Sequence, residues 1–136
     1  MHRHGAPGTP EKWLVRRLDA HFSAGPRDAR EFAEGFMAIV GSKAKPPDEL
    51  PPELEQGIRA LMAERPPWEA EIPLDELAAA PFRKLIISGG HSAAFDAVCD
   101  VLEERLGAER AVLPGAGHGL ARAPGYLERL EEFIER

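Results

Sequence analysis

A single cysteine, Cys99, stands in 136 residues, so no intramolecular disulfide framework can form and a reducing compartment is expected. Basic residues are also in short supply. Seventeen Lys and Arg face 23 Asp and Glu, which leaves a net charge of −6 and a pI near 5.4. Nucleic acids are bound chiefly through Lys and Arg, so a general nucleic-acid surface is excluded. No apolar run approaches the roughly 20 residues that span a bilayer. The opening Met1-His2-Arg3-His4-Gly5-Ala6-Pro7-Gly8 lacks the apolar centre of a signal peptide. A cytoplasmic chain with neither membrane nor nucleic-acid partners is the expectation. Cys/His metal spacing, a phosphate-binding glycine loop and a heptad array are missing as well. No metal or cofactor is therefore expected.

Proline, by contrast, is abundant. The chain has 13, where about 5% usage would give roughly 7. Eleven of them lie at or before Pro81. They divide the sequence into a helical segment, residues 1–81, and a second segment, residues 82–136. In the first, Thr9-Pro10 offers an N-cap and a proline at the first helical position. Leu14, Leu18 and Phe22 then recur four apart on one face. A second helix is predicted from about Asp28 to Val40, with Phe32, Phe36, Ile39 and Val40 on one side and Gly41 as its stop. A third carries Leu54, Ile58, Leu61 and Met62 and ends before Pro66-Pro67. A short helical turn from Leu74 to Ala80 completes the segment.

After Pro81 the pattern changes to strand–helix–strand–helix. Lys84-Leu85-Ile86-Ile87-Ser88 reads as a strand buried on both faces. Phe95, Val98, Cys99, Leu102 and Leu106 form a helical stripe capped by Gly107. Arg110-Ala111-Val112-Leu113 is a second strand, and a last helix from near Pro124 carries Leu127, Leu130 and Ile134. This α/β order predicts two parallel strands joined by a right-handed crossover. Two parallel strands do not make a stable open sheet. More strands must come from another chain, from self-association or from a larger protein, and the last accounts for the chain best.

Two positions can bear chemistry. His118 lies in Gly115-Ala116-Gly117-His118-Gly119, directly after the second strand, at the sheet edge where open α/β folds bind ligands. Its pKa range suits a general base, although a loop histidine bonded to backbone would have the same setting. Gly90-His91-Ser92-Ala93-Ala94 is similar to a nucleophile elbow with its last glycine replaced, which would make Ser92 the nucleophile. Ser92 is better suited to cap the following helix, because an elbow's histidine stands on a much later strand and here the next strand already ends in His118. Asp96 and Asp100 lie on that helix, and Asp96 is favoured there by the macrodipole alone. His2 and His4 need further ligands to hold a metal. Trp13 and Trp68 suit packing or a pocket wall, Glu103-Glu104-Arg105 and Glu131-Glu132 suit solvated faces, and Cys99 suits an inert core thiol.

From about Leu74 onward the chain resembles the C-terminal part of α/β-hydrolase-fold proteins. The likeness is carried by Phe82-Arg83-Lys84-Leu85-Ile86-Ile87-Ser88-Gly89-Gly90-His91-Ser92 and by Ala108-Glu109-Arg110-Ala111-Val112-Leu113-Pro114-Gly115-Ala116-Gly117-His118. The resemblance implies that His118 is the catalytic histidine and that the helices before Pro81 form a lid. It further implies a small-molecule ester-like substrate in the complete enzyme. The family's acid usually stands where this chain reads Gly89-Gly90-His91-Ser92, which contains no carboxylate. The early strands, the oxyanion-hole loop and the elbow serine are not found. The expectation is a C-terminal portion that is inactive alone and associates with the missing core. The alternative is a small interaction module that forms a homo-oligomer, or pairs with another chain, through its sheet edge.

Overall fold

A computed structural model describes residues 8–24 and 27–136. His2 and His4 lie outside the described residues. Helix α1 (Pro10–Ala24) begins at the proline, and Trp13 N–H donates to the Thr9 carbonyl at 3.1 Å. The expected side-chain cap is not made, because Thr9 Oγ1 has no hydrogen-bond partner among the described residues. Helix α2 (Ala29–Val40) is fixed at both ends. The Asp28 carboxylate accepts from Glu31 N–H at 2.9 Å. At the other end Gly41 turns left-handed at φ 75°, and Gly41 and Ser42 N–H donate back to Ala38 and Met37. That pair of bonds is a Schellman motif, which satisfies carbonyls the helix end would otherwise leave open.

Helix α3 (Pro52–Ala63) starts on a proline and stops at Glu64, two residues ahead of Pro66. Pro66 disfavours the helical region at Arg65 and supplies no N–H to continue the ladder. Gly57 sits inside this helix, and a Cβ added to it would meet nothing within 4 Å. Gly57→Ala is therefore expected to raise stability by about 0.8 kcal/mol, measured as a shift in the urea midpoint at constant slope. A 3-10 turn (Pro67–Glu69) and helix α4 (Leu74–Ala79) lead to the sheet.

Two apolar clusters hold these helices. Ala29, Phe32, Ala33 and Ile58 form one, with Phe22, Phe36, Leu61 and Met62 packed around them. Leu14, Leu18, Val40 and Ala94 form the other. Ala94 belongs to helix α5 (Ala93–Leu106), so this second cluster joins helices on either side of Pro81. Close approach of α1 and α2 relies on Gly35, where an added Cβ would fall 2.4 Å from the His21 ring. That ring stacks on Phe32 at 4.7 Å, and its Nε2 donates to the Phe32 carbonyl at 2.8 Å.

Strands β1 (Leu85–Ser88) and β2 (Glu109–Val112) are parallel, in the register Leu85↔Glu109 to Ser88↔Val112. The described residues are thus mostly helical α/β, with six α-helices and two short parallel strands. Helix α5 covers the face carrying Ile86 and Ser88. Helix α6 (Tyr126–Glu135) lies toward the Leu85 face, where Arg136 and Arg129 pair with Glu109 at 3.0 and 3.9 Å. Arg83 adds to this by lying over the Phe133 ring and donating to its carbonyl.

Burial departs from the sequence expectation in this segment. Leu85, Ile86 and Ile87 are only half-buried, not enclosed on both faces. The reason is topological: each strand has one neighbour, and both outer edges lack a strand partner among the described residues. The stripes on α5 and α6 are likewise partly uncovered. Val98 is 45% exposed, Leu127 60% and Ile134 67%, because no described element packs over them. None of the described helices is long and apolar enough to cross a membrane.

Candidate functional site

Three backbone segments converge beyond the carboxyl ends of the strands. They follow α2 (residues 41–44), β1 (residues 89–92) and β2 (residues 113–118). Glycine makes this convergence possible. A Cβ on Gly89 would lie 2.1 Å from the Gly117 carbonyl oxygen, and one on Gly41 would lie 2.6 Å from His91 Cδ2. Gly117 itself has φ +66°, which L side chains rarely adopt. The loop after β2 therefore lies against the loop after β1, with His91 between it and the end of α2.

His118 projects from this junction and is exposed on one side. Its ring lies 5.0 Å from that of Phe95 and 6.3 Å from that of His91, between ring centres. Burial against these neighbours lowers its pKa below the ordinary value of 6.5, and the adjacent imidazole of His91 adds to the effect. The neutral ring is thus the favoured folded form. Its stabilising effect is present above pH 6.5 and is lost as pH falls through the lowered folded value. An NMR titration of the ring protons should give a midpoint for His118 below 6.5, moving upward in His91→Gln. A midpoint above 6.5 would mean that an anion contacts the ring instead.

His91 donates from Nε2 to the Val40 carbonyl at 3.0 Å, which ties the loop after β1 to the end of α2. Its Nδ1 is buried and has no hydrogen-bond partner among the described residues. In the sequence His91 stands out only as part of the motif at residues 90–94. The bond to Val40 spans 51 positions, and no local pattern announces it.

Ser92 serves as the N-cap of α5. Its backbone is extended at φ −145°, ψ 123°, and its Oγ accepts from Phe95 N–H at 3.5 Å. The described chain has no non-glycine residue at positive φ, so Ser92 does not sit in the strained turn of a nucleophile elbow. Nor does Ser92 border the cleft described below.

Asp96 and Asp100 are drawn elsewhere. Arg110, on β2, donates to Asp100 at 2.9 Å and to Ser88 Oγ at 3.0 Å, and it pairs with Glu103 at 3.5 Å and Asp96 at 3.7 Å. The arginine side chain is only 14% exposed. Asp96, Asp100 and Glu103 therefore clamp α5 to the sheet and do not orient His118. Their helical spacing puts the acids on one face of α5, but their shared partner on β2 is set by the packing of helix on sheet. Cys99 is half-buried beside this cluster, and burial raises its pKa above the ordinary thiol value. Trp68 packs edge-on against Phe22 at 5.5 Å, whereas Trp13 is 58% exposed beneath Arg17.

A cleft of about 790 Å³ opens beside His118, within the size range of small-molecule sites. Leu85 and Ile87 form its floor on the sheet face away from α5. Met37, residues 42–44, residues 115–116, residues 118–124 and Tyr126 complete the lining. Among the described residues no group of three His, Cys, Asp or Glu side chains is arranged to hold a metal ion. The chain matches no family model, and it has no significant match to a curated protein or to a solved structure.

Proposed function

We propose that this chain is the lid and the C-terminal strand–helix–strand–helix portion of an α/β-hydrolase-type protein, with His118 as its general base. The observation that carries the reading is the position of His118. It follows a parallel strand in a glycine loop, faces a cleft, and lies beneath the end of a helix-rich segment. In the complete enzyme, His118 would take the proton of a serine hydroxyl as that oxygen attacks an ester carbonyl. It would then return the proton to the departing alkoxide and activate water for the second half of the reaction. A lowered pKa keeps the ring in its proton-accepting form at neutral pH. Within this chain Ser92 caps a helix and the acids of α5 hold Arg110, so nucleophile, acid and oxyanion donors belong to other elements. Such groups act as a unit, and the histidine alone contributes little.

The test is turnover of a short-chain nitrophenyl ester by the purified chain. The expected rate is that of free imidazole, unchanged by Ser92→Ala. A rate lost in both Ser92→Ala and His118→Ala, with phosphonate labelling of Ser92, would overturn the reading. The two open sheet edges support a second reading, an interaction module that pairs with a copy of itself. Light scattering after size exclusion separates the two, because a well-folded symmetric dimer belongs to the module alone.

A further inference from the structure

The charge of the cleft beside His118 differs from that of the chain. The protein carries 23 acidic residues and a net charge of −6, yet none of the residues lining the cleft is acidic. Lys43 and Arg122 both line it, and neither pairs with a carboxylate among the described residues. Most of the other arginines are used differently. Arg30, Arg59, Arg65, Arg105, Arg110, Arg129 and Arg136 each meet an acid. Lys43 runs along the loop that carries His118, so that a Cβ on Gly115 would stand 3.7 Å from its ammonium nitrogen. Leu85, Ile87 and Tyr126 supply apolar surface to the same cleft.

We infer that the cleft binds small carboxylates, with the anionic end toward Lys43 and Arg122 and the apolar body on Leu85, Ile87 and Tyr126. Cations without protein partners beside an apolar wall suit a molecule with one charged end and one apolar end. A place in catalysis rests on the hydrolase reading, in which the substrate would be an ester carrying a carboxylate, or the acid its hydrolysis releases. The binding itself does not depend on that reading.

The probe is benzoate, compared with benzamide, its neutral analogue of nearly the same shape. Both are titrated into the full chain while the ring signals of His118 are followed by NMR. Benzoate should bind saturably and raise the His118 midpoint, since a nearby anion favours the imidazolium form. Lys43→Gln and Arg122→Gln should each weaken benzoate about threefold and leave benzamide unaffected. Both positions are exposed, and unchanged backbone spectra verify that the variants fold. Equal binding of benzoate and benzamide would overturn the assignment. So would benzoate affinity that survives the double variant, or no saturation by benzoate. Phenyl phosphate binding where benzoate does not would reassign the cleft to phosphate esters. Ester turnover is measured separately, so benzoate binding without reconstituted hydrolysis removes the reaction and leaves the site. Hydrolysis without benzoate selectivity does the reverse.

Discussion

Phe32→Ala is expected to destabilise the protein by about 4 kcal/mol. Phe32 is 2% exposed and is the largest fully buried side chain among the described residues. Phe22 meets it edge-on at 5.1 Å, His21 stacks on it at 4.7 Å, and Phe36 lies parallel at 6.4 Å. Removing the ring takes away a large apolar area and leaves a cavity between α1, α2 and α3 that three helices cannot close together. Aromatic pairs contribute about 0.5–1.5 kcal/mol beyond burial, which adds to the loss. For a chain of this size that is a large share of total stability. Urea denaturation followed by far-UV circular dichroism measures it. A loss under about 1 kcal/mol, below the range for truncating a buried aromatic, would mean that the three helices do not unfold as one unit with this ring at their centre.

Gly89→Ala is the second large effect, and it falls on the site. The added methyl would lie 2.1 Å from the Gly117 carbonyl oxygen and 3.0 Å from Gly117 C and N. All three are backbone atoms, so relief requires the two loops to separate. A cost of about 3 kcal/mol is expected, together with displacement of His118 from Phe95. The His118 titration reports this displacement, because a ring withdrawn from its neighbours returns toward the ordinary 6.5. Gly107→Ala serves as a comparison at a helix end. Its Cβ meets nothing within 4 Å, so only the left-handed backbone at φ 60° is strained. Gly107→Ala should leave the His118 midpoint in place. If Gly89→Ala also leaves it in place, the close approach of the two loops does not position the histidine.

These expectations draw on what local sequence makes plain and on what it does not. Leu14 and Leu18 face the core as their spacing predicts, Asp28 caps α2, Gly41 ends it, and each strand begins and ends within one residue of its predicted bounds. All of these depend on neighbours a few positions away. Val98 and Ile134 show the opposite case. Each sits at the correct helical spacing, yet exposure depends on whether another element covers it, and none does. Thr9 had the residue type of a cap without making the side-chain bond. The glycine-flanked His118 was legible as a candidate because it follows a strand. Its setting was not, because His91 and Phe95, which flank the ring, and Lys43, which lines the same cleft, come from distant parts of the chain. Asp96 and Asp100 were visible as acids but not as partners of Arg110, which comes from the adjacent strand.

On the hydrolase reading proposed above, His118 is a base whose nucleophile is supplied by a part of the enzyme other than these 136 residues. The direct measurement is nitrophenyl ester hydrolysis by the chain mixed with a separately expressed α/β-hydrolase core segment that carries strand, Gly-x-Ser-x-Gly and helix. Turnover should arise only in the mixture and should fall by about three orders of magnitude in His118→Ala, as expected when a member of such a triad is removed. Turnover by the chain alone that requires both Ser92 and His118, or a mixture whose activity ignores His118, would contradict it.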